Sequence, residues 1–228
     1  MSARQEIFDT ESLEAELTLP NNAKGVVLLI HSNGSNRLSP RNQFVAHMLR
    51  DCELATLLLD VEMEEERKQR EETNQSSLAV EEMASRVIAA TDWLQAHGTT
   101  TGLPIGYLAC GTAAAAALIA ASERPAVVGA IVTRGARLGL AQTILGKVIA
   151  PVLLIVGARD IPVVHLNRES LESLGSTEKR LEIIPGARHQ FEEPGTLAAA
   201  ALHAKNWLTR HLHKKPILPS AKAAVHLL

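Results

Sequence analysis

The stretch 103–124, LPIGYLACGTAAAAALIAASER, decides the fold of this chain. It opens with an apolar run at 103–108, continues through small residues around Gly111, and ends in a run rich in alanine. A short apolar run, small turn formers and a long run of strong helix formers predict a strand, a tight turn and a helix, in that order. We therefore expect a sharp strand-to-helix turn at 109–113.

Nothing in the sequence points to a membrane or to secretion. Residues 98–122 carry no charge and could in principle span a bilayer, but glycines and Pro104 interrupt the window and its alanines are only weakly apolar. Two cysteines, Cys52 and Cys110, allow at most one disulfide, and no basic-then-apolar leader opens the sequence. These features favour a reduced, cytoplasmic protein.

The composition is that of an ordinary globular domain. Of the 228 residues, 46% are apolar and 21% are charged, which suits one α/β domain with a single core. The formal net charge of -2, with both signs interspersed, provides no broad field for nucleic acid or an anionic membrane. We expect a small-molecule substrate or ligand as the partner, and the oligomeric state stays open, a homo-oligomer included.

Strand patterns alternate with helix patterns along the chain. Continuous apolar runs of the kind buried on both faces of a sheet are joined by an alternating run at 14–19, which we expect at the sheet edge. The predicted strands are 14–19, 25–31, 54–60, 103–108, 127–132, 151–156 and 180–185. This alternation predicts an α/β fold over 1–213, with a mainly parallel, doubly wound sheet of about seven strands flanked by helices.

Two segments depart from this alternation. The charged run at 61–77 predicts a solvated loop or an exposed helix, with a substrate lid as the alternative. Residues 214–228 contain two prolines and scattered apolar side chains, and we interpret them as a C-terminal tail that packs on the surface or on a partner.

Residues able to do chemistry follow several of the predicted strands. His31 ends one strand, and Gly111, Asp160 and His189 each follow another. Because the carboxyl ends of parallel strands meet at one edge of a sheet, these positions are expected to converge. The alternatives are structural: Asp160 as a turn residue or helix N-cap, and His189 as a surface histidine. No spacing motif supports a metal, and we expect neither a metal nor a cofactor.

The turn at 109–113 has the form of a nucleophile elbow without a nucleophile. In such an elbow, small residues two positions before and after the nucleophile let strand and helix approach closely, and Ala109 and Ala113 satisfy this need. The residue between them is Gly111, which has no side chain. Cys110 is a candidate substitute nucleophile, but a shifted register would place Leu108 and a threonine at the flanking positions. We favour Cys110 as a small buried hydrophobic residue.

Taken together, these motifs resemble one known family. The chain is similar to the dienelactone-hydrolase-like branch of the α/β-hydrolase superfamily over 15–212. The resemblance is carried by VVLLIHSNGSNRLSPRN, LATLLLD, LPIGYLACGTAAAAAL, PVLLIVGARDIPV, LNRE and RLEIIPGARHQFEEPG. In that family the position of Gly111 holds serine, or cysteine in some members, so this sequence departs from the family at its nucleophile.

The resemblance implies roles for the converging residues. Asp160 would orient the imidazole of His189, and His189 would be the general base. The backbone N–H groups of Thr112 and Asn33 would form the oxyanion hole. His31 would position the oxyanion loop.

Arginines near the same strand ends are candidates for binding a substrate. Arg37, Arg134 and Arg137 would receive a substrate carboxylate if they face the pocket, although arginines of this kind are more often exposed.

The resemblance leaves the function open between two classes. One is a hydrolase of a small ester, lactone or thioester, with weak or absent activity because Gly111 lacks a side chain. The other is a non-catalytic protein that binds a ligand or a partner in the same pocket. The glycine itself is compatible with a natural loss and with an engineered replacement of serine in an active enzyme.

Overall fold

The computed structural model describes residues 3–10, 13–31, 35–73 and 78–213. The strands within these ranges are β1 Ala3–Thr10, β2 Leu13–Pro20, β3 Gly25–His31, β4 Leu54–Asp60, β5 Ile105–Cys110, β6 Val128–Arg134, β7 Val152–Gly157 and β8 Lys179–Ile184. The helices are α1 Pro40–Arg50, α2 Glu64–Thr73, α3 Val80–Ala96, α4 Ala113–Glu123, α5 Ile161–Ser173 and α6 Thr196–Leu212, with a 3₁₀ helix at Leu138–Lys147.

The described strands form one eight-stranded sheet in the order β1-β2-β4-β3-β5-β6-β7-β8. The six neighbouring strands β4, β3, β5, β6, β7 and β8 pair in parallel. β1 pairs antiparallel with β2, and β2 pairs antiparallel with β4. The mainly parallel α/β fold is therefore confirmed. The sheet has one strand more than the pattern predicted, because β1 pairs with the whole length of β2. The expectation that 14–19 forms the sheet edge was wrong for the same reason.

Apolar clusters cover both faces of the sheet. One cluster joins the sheet to α3, α4 and the 3₁₀ helix, and the other joins it to α1 and α6. Every residue of β3 and β4 is buried, which explains why both sequences are mainly apolar. The alanines of α4 are small enough to let this helix lie closely against the sheet beside β5, which fixes the turn between them.

The remaining sequence predictions can now be placed. The uncharged window 98–122 contains β5 and α4, and within the described ranges no helix is long and apolar enough to cross a membrane. Residues 64–73 of the charged run form α2, a mostly exposed helix, and a two-pronged ion pair from Arg86 of α3 to Glu66 ties it to the domain. The predicted tail at 214–228 lies outside the described residues.

Candidate active site

Gly111 adopts the left-handed backbone conformation, with φ of +57°, in the turn from β5 to α4. Its N–H donates to the carbonyl of Arg134 at 3.2 Å, and its own carbonyl accepts from the N–H of Arg137 at 3.2 Å. The end of β6 and the loop after it therefore hold this turn from the side. A left-handed residue between strand and helix is the strained geometry of a nucleophile elbow, and it falls at 111 rather than at 110.

The side-chain position at Gly111 is open. A Cβ atom built there would have no heavy atom within 4 Å, apart from its chain neighbours. This space belongs to a cavity of about 370 Å³ at the carboxyl edge of the sheet. The residues that line the cavity are Ser35, Cys110, Gly111, Thr112, Arg134, Arg137, His189 and Gln190.

Asp160 and His189 form a hydrogen-bonded pair beside this opening. The distance from His189 Nδ1 to Asp160 Oδ2 is 2.6 Å, and the Asp160 side chain is largely buried. Asp160 does stand at the N-cap position of α5, but its side chain makes no capping hydrogen bond there. Because a carboxylate only accepts, we assign the proton on this face to Nδ1, which leaves Nε2 as the basic nitrogen.

Backbone contacts fix the position of the His189 imidazole. The N–H of Arg159 donates to the carbonyl of Ala187 at 2.9 Å, which joins the loops after β7 and β8. A Cβ at Gly135 would lie 3.3 Å from Cε1 of His189, so the ring packs closely against the loop after β6. The strand ends that the sequence predicted to converge therefore bring Gly111, Asp160 and His189 together.

Thr112 is placed where an oxyanion donor is needed. It precedes α4 and lines the cavity beside Gly111. The first N–H groups of a helix have no acceptor within the helix and carry partial positive charge, so they are suited to a developing oxyanion. The second predicted donor, Asn33, lies outside the described residues. Ser35, two positions after Asn33, lines the cavity and accepts a hydrogen bond from Asn42 Nδ2 of α1 at 2.9 Å.

Cys110 lies at the rim of the site as the last residue of β5. It is a free, half-buried thiol that lines the cavity and also packs against the apolar cluster of α1 and α6. Its backbone continues the parallel pairing with Arg134, so it belongs to the strand rather than to the turn. This position suits a small packing residue better than a nucleophile.

The cavity beside Gly111 is positively charged. Arg134 and Arg137 both line it, and the Arg134 guanidinium lies 5.8 Å from the ring centroid of Phe191 in a cation–π contact. Arg41 of α1 lies close enough that burial and the positive charge of Arg134 lower its pKa. The sequence predicted the positions of Arg134 and Arg137 but not that of Arg41, whose only signal was its place in the helix after the His31 loop.

His31 and Arg37 line neither of the cavities described for this site. The backbone N–H of Arg37 donates to Asp60 Oδ1 at 2.7 Å, and its guanidinium donates to Asp60 Oδ2 at 2.8 Å and to Glu14. Arg37 is thus held by two carboxylates, and the expectation that it receives a substrate carboxylate does not fit this arrangement. Sequence reasoning missed Asp60, although an acid that ends a wholly apolar strand was the available signal.

His31 is buried behind the site. Only 3% of the residue is exposed, and its Nδ1 lies 3.9 Å from Asp60 Oδ1. Burial, aided by the positive charge of Arg134, lowers the pKa of His31 to about 3. The imidazole is therefore neutral at physiological pH, which fits a role in packing rather than in proton transfer.

A larger cavity of about 690 Å³ adjoins the smaller one. It shares Thr112, Arg137 and His189 with the smaller cavity, and Asp160 lies in its wall. Its other walls are Gly139, Leu140, Pro162, Val163 and Leu166, from the 3₁₀ helix and α5. No pattern in the sequence indicated this cavity. Among the described residues, no cluster of three or more His, Cys, Asp or Glu side chains is arranged to hold a metal ion.

Comparison with known proteins assigns the family. The crystal structure of a dienelactone hydrolase from Anabaena variabilis is 43% identical to this chain and superimposes with a TM-score of 0.87, over 92% of this chain and 99% of that one. The chain belongs to the dienelactone-hydrolase-like family of α/β-hydrolases. Est1E from Butyrivibrio proteoclasticus, 14% identical with a TM-score of 0.73 over 94% of this chain and 100% of its own, shares the fold.

A longer relative carries a different name. A protein of Mycobacterium tuberculosis strain H37Rv, named as a phosphoribosyl transferase, is 42% identical over 196 residues, or 86% of this chain. The matched segment is 43% of that protein, so the chain spans less than half the length of this relative. No family model matches the chain.

Proposed function

We propose that this dienelactone-hydrolase-like protein hydrolyses a small ester, lactone or thioester slowly, using water in place of a covalent nucleophile. One observation carries the proposal: His189, which is hydrogen-bonded to Asp160, and the open side-chain position of Gly111 border the same cavity. A dyad of this kind activates a nucleophile, and the space at Gly111 is where the nucleophilic oxygen of a serine would lie.

The reaction then proceeds in two proton transfers. Nε2 of His189 takes a proton from water as the water oxygen attacks the carbonyl carbon, and the N–H of Thr112 stabilises the oxyanion. Asp160 stabilises the imidazolium. When the tetrahedral intermediate collapses, the bond to the alkoxide or thiolate breaks and His189 returns the proton to that group, giving a carboxylic acid and an alcohol or thiol. Without a triad nucleophile, such a site retains roughly a 10³–10⁴-fold acceleration over water.

The test combines gain and loss of function. We expect Gly111→Ser to raise kcat on short p-nitrophenyl esters by roughly 10³-fold or more, since the serine would complete the triad. The slow activity of the unmodified protein should disappear in His189→Ala and persist in Cys110→Ala. Esterase activity that is unchanged in His189→Ala would refute the mechanism, and loss in Cys110→Ala would make the thiol the nucleophile.

A second candidate is a non-catalytic binding protein. The observation in its favour is Gly111 itself, because a pocket without a nucleophile can hold a carbonyl compound without forming a covalent bond. Arg134 and Arg137 would then receive an anionic group on the ligand. This candidate predicts saturable binding of short carboxylates by the unmodified protein and no ester turnover above the rate of His189→Ala.

We do not extend phosphoribosyl transfer to this chain, because the relative that bears that name is more than twice as long as the segment it shares. We propose a cytoplasmic location, supported by the free thiols of Cys52 and Cys110.

A further inference from the structure

The larger cavity is a groove with one polar end and two apolar walls. Leu140 of the 3₁₀ helix forms one wall, and Pro162, Val163 and Leu166 of α5 form the other. The polar end is formed by Asp160 and His189, so the groove opens directly onto the atoms of the proposed chemistry. Leu140 is 53% exposed, which means that its side chain is available for contact with a ligand.

The two walls are held in a fixed relation to the dyad. α5 begins directly after Asp160, so the turn that positions the carboxylate also positions Pro162 and Val163. Nδ2 of the buried Asn167 donates to the carbonyl of Ala136 at 2.9 Å, which joins α5 to the loop before the 3₁₀ helix. The 3₁₀ helix is anchored by buried side chains at Leu138, Ala141 and Leu145. The groove is therefore part of the folded domain rather than a gap between loose segments.

The charge distribution indicates how a ligand would lie. Arg134 faces the smaller cavity, while Arg137 and His189 stand at the boundary between the two cavities. A compound with its polar group in the smaller cavity and its carbonyl at His189 would extend its apolar part along Leu140 and Leu166. A purely polar ligand would leave these apolar walls in contact with water.

We propose that this groove is the subsite for an unbranched apolar chain, so that the site takes amphipathic acyl compounds rather than only very small polar ones. The proposal rests on the proposed function for the placement of the carbonyl group. It goes further in naming Leu140 and Leu166 as residues that determine chain-length preference.

The test uses binding and needs no turnover. Affinities of butanoate, hexanoate and octanoate for the unmodified protein are measured by calorimetry. Each added methylene that enters the groove should tighten binding about fourfold, the equivalent of ~0.8 kcal/mol. Leu140→Asn and Leu166→Asn should flatten this dependence on chain length. Leu202→Asn, at a leucine of α6 that is 45% exposed, is the matched control and should leave it intact.

The outcomes separate this proposal from the proposed function. An affinity that is independent of chain length, or a dependence that survives in both Leu140→Asn and Leu166→Asn, would overturn the groove as an apolar subsite. Absence of binding for all three carboxylates would overturn it as well. If the dependence is present but Gly111→Ser has no esterase activity, the subsite stands and the hydrolase function falls.

Discussion

Acid sensitivity of the fold is expected to depend on the buried imidazole of His31. Burial and the positive charge of Arg134 lower the pKa of His31 to about 3 in the folded protein, whereas an unfolded chain has the ordinary value of 6.5. Below pH 6.5 the unfolded state therefore takes up a proton that the folded state excludes. The free energy of unfolding must then fall as the pH is lowered from about 6.5 to about 3.

The size of this effect follows from the two pKa values. Between about pH 7 and about pH 5, His31 alone should lower the free energy of unfolding by ~2 kcal/mol, and the full loss near pH 3 approaches roughly 5 kcal/mol. The neighbouring Asp60 acts in the opposite direction at lower pH, because burial raises its pKa despite the contact with Arg37. The comparison is therefore made against a variant that retains Asp60, so that this contribution is common to both proteins.

Urea unfolding of the unmodified protein and of His31→Asn at these two pH values measures the effect. The substitution also changes absolute stability, so the quantity of interest is the change in the free energy of unfolding between the two pH values, which should be ~2 kcal/mol smaller in His31→Asn. His47→Asn is the matched control, since His47 is an exposed histidine of α1 and should leave the change intact. An equal pH dependence in His31→Asn and in the unmodified protein would refute the assignment of a depressed pKa.

Two further predictions concern the dyad. In the Gly111→Ser background, Asp160→Asn should lower kcat by roughly 10⁴-fold with little change in KM, because the amide favours the wrong imidazole tautomer. Steady-state kinetics measures this effect, and a decrease in kcat of less than tenfold would contradict the prediction. Gly157→Ala would place a Cβ 2.5 Å from the carbonyl oxygen of Ala187, in the loop that carries His189. We expect the free energy of unfolding, measured with urea, to fall by about 1–3 kcal/mol, and kcat in the Gly111→Ser background to fall as well. In Gly98→Ala, where the added Cβ would have no atom within 4 Å, both quantities should be unchanged.

The parts of the fold that could be predicted from the sequence are those with a local signal. β3, β4, β5 and β7 are buried on both faces, and their mainly apolar sequences predict this burial. The site followed from topology, because consecutive parallel strands deliver their following loops to one edge. That is why Asp160 and His189, 29 positions apart, could be expected to meet.

The parts that escaped prediction depend on tertiary contacts. β1 has the sequence ARQEIFDT, which is too polar to mark a strand, and only its pairing with β2 makes it one. The partners of Arg37 come from β2 and β4, and nothing in its local sequence selects Asp60 and Glu14 over solvent. The apolar groove likewise arises only when the 3₁₀ helix packs beside α5.

The turn at Gly111 shows how the backbone of an elbow can exist without its nucleophile. A left-handed conformation costs a residue with a side chain roughly 1–2 kcal/mol, and glycine avoids this cost. The hydrogen bonds that hold the turn run from Gly111 to Arg134 and from Arg137 to Gly111, and both are made by backbone atoms. A serine introduced at 111 enters open space but takes on this cost, so the turn keeps its geometry only if its backbone hydrogen bonds outweigh the strain. Activity gained in Gly111→Ser would therefore show both that the turn holds and that Asp160 and His189 are competent.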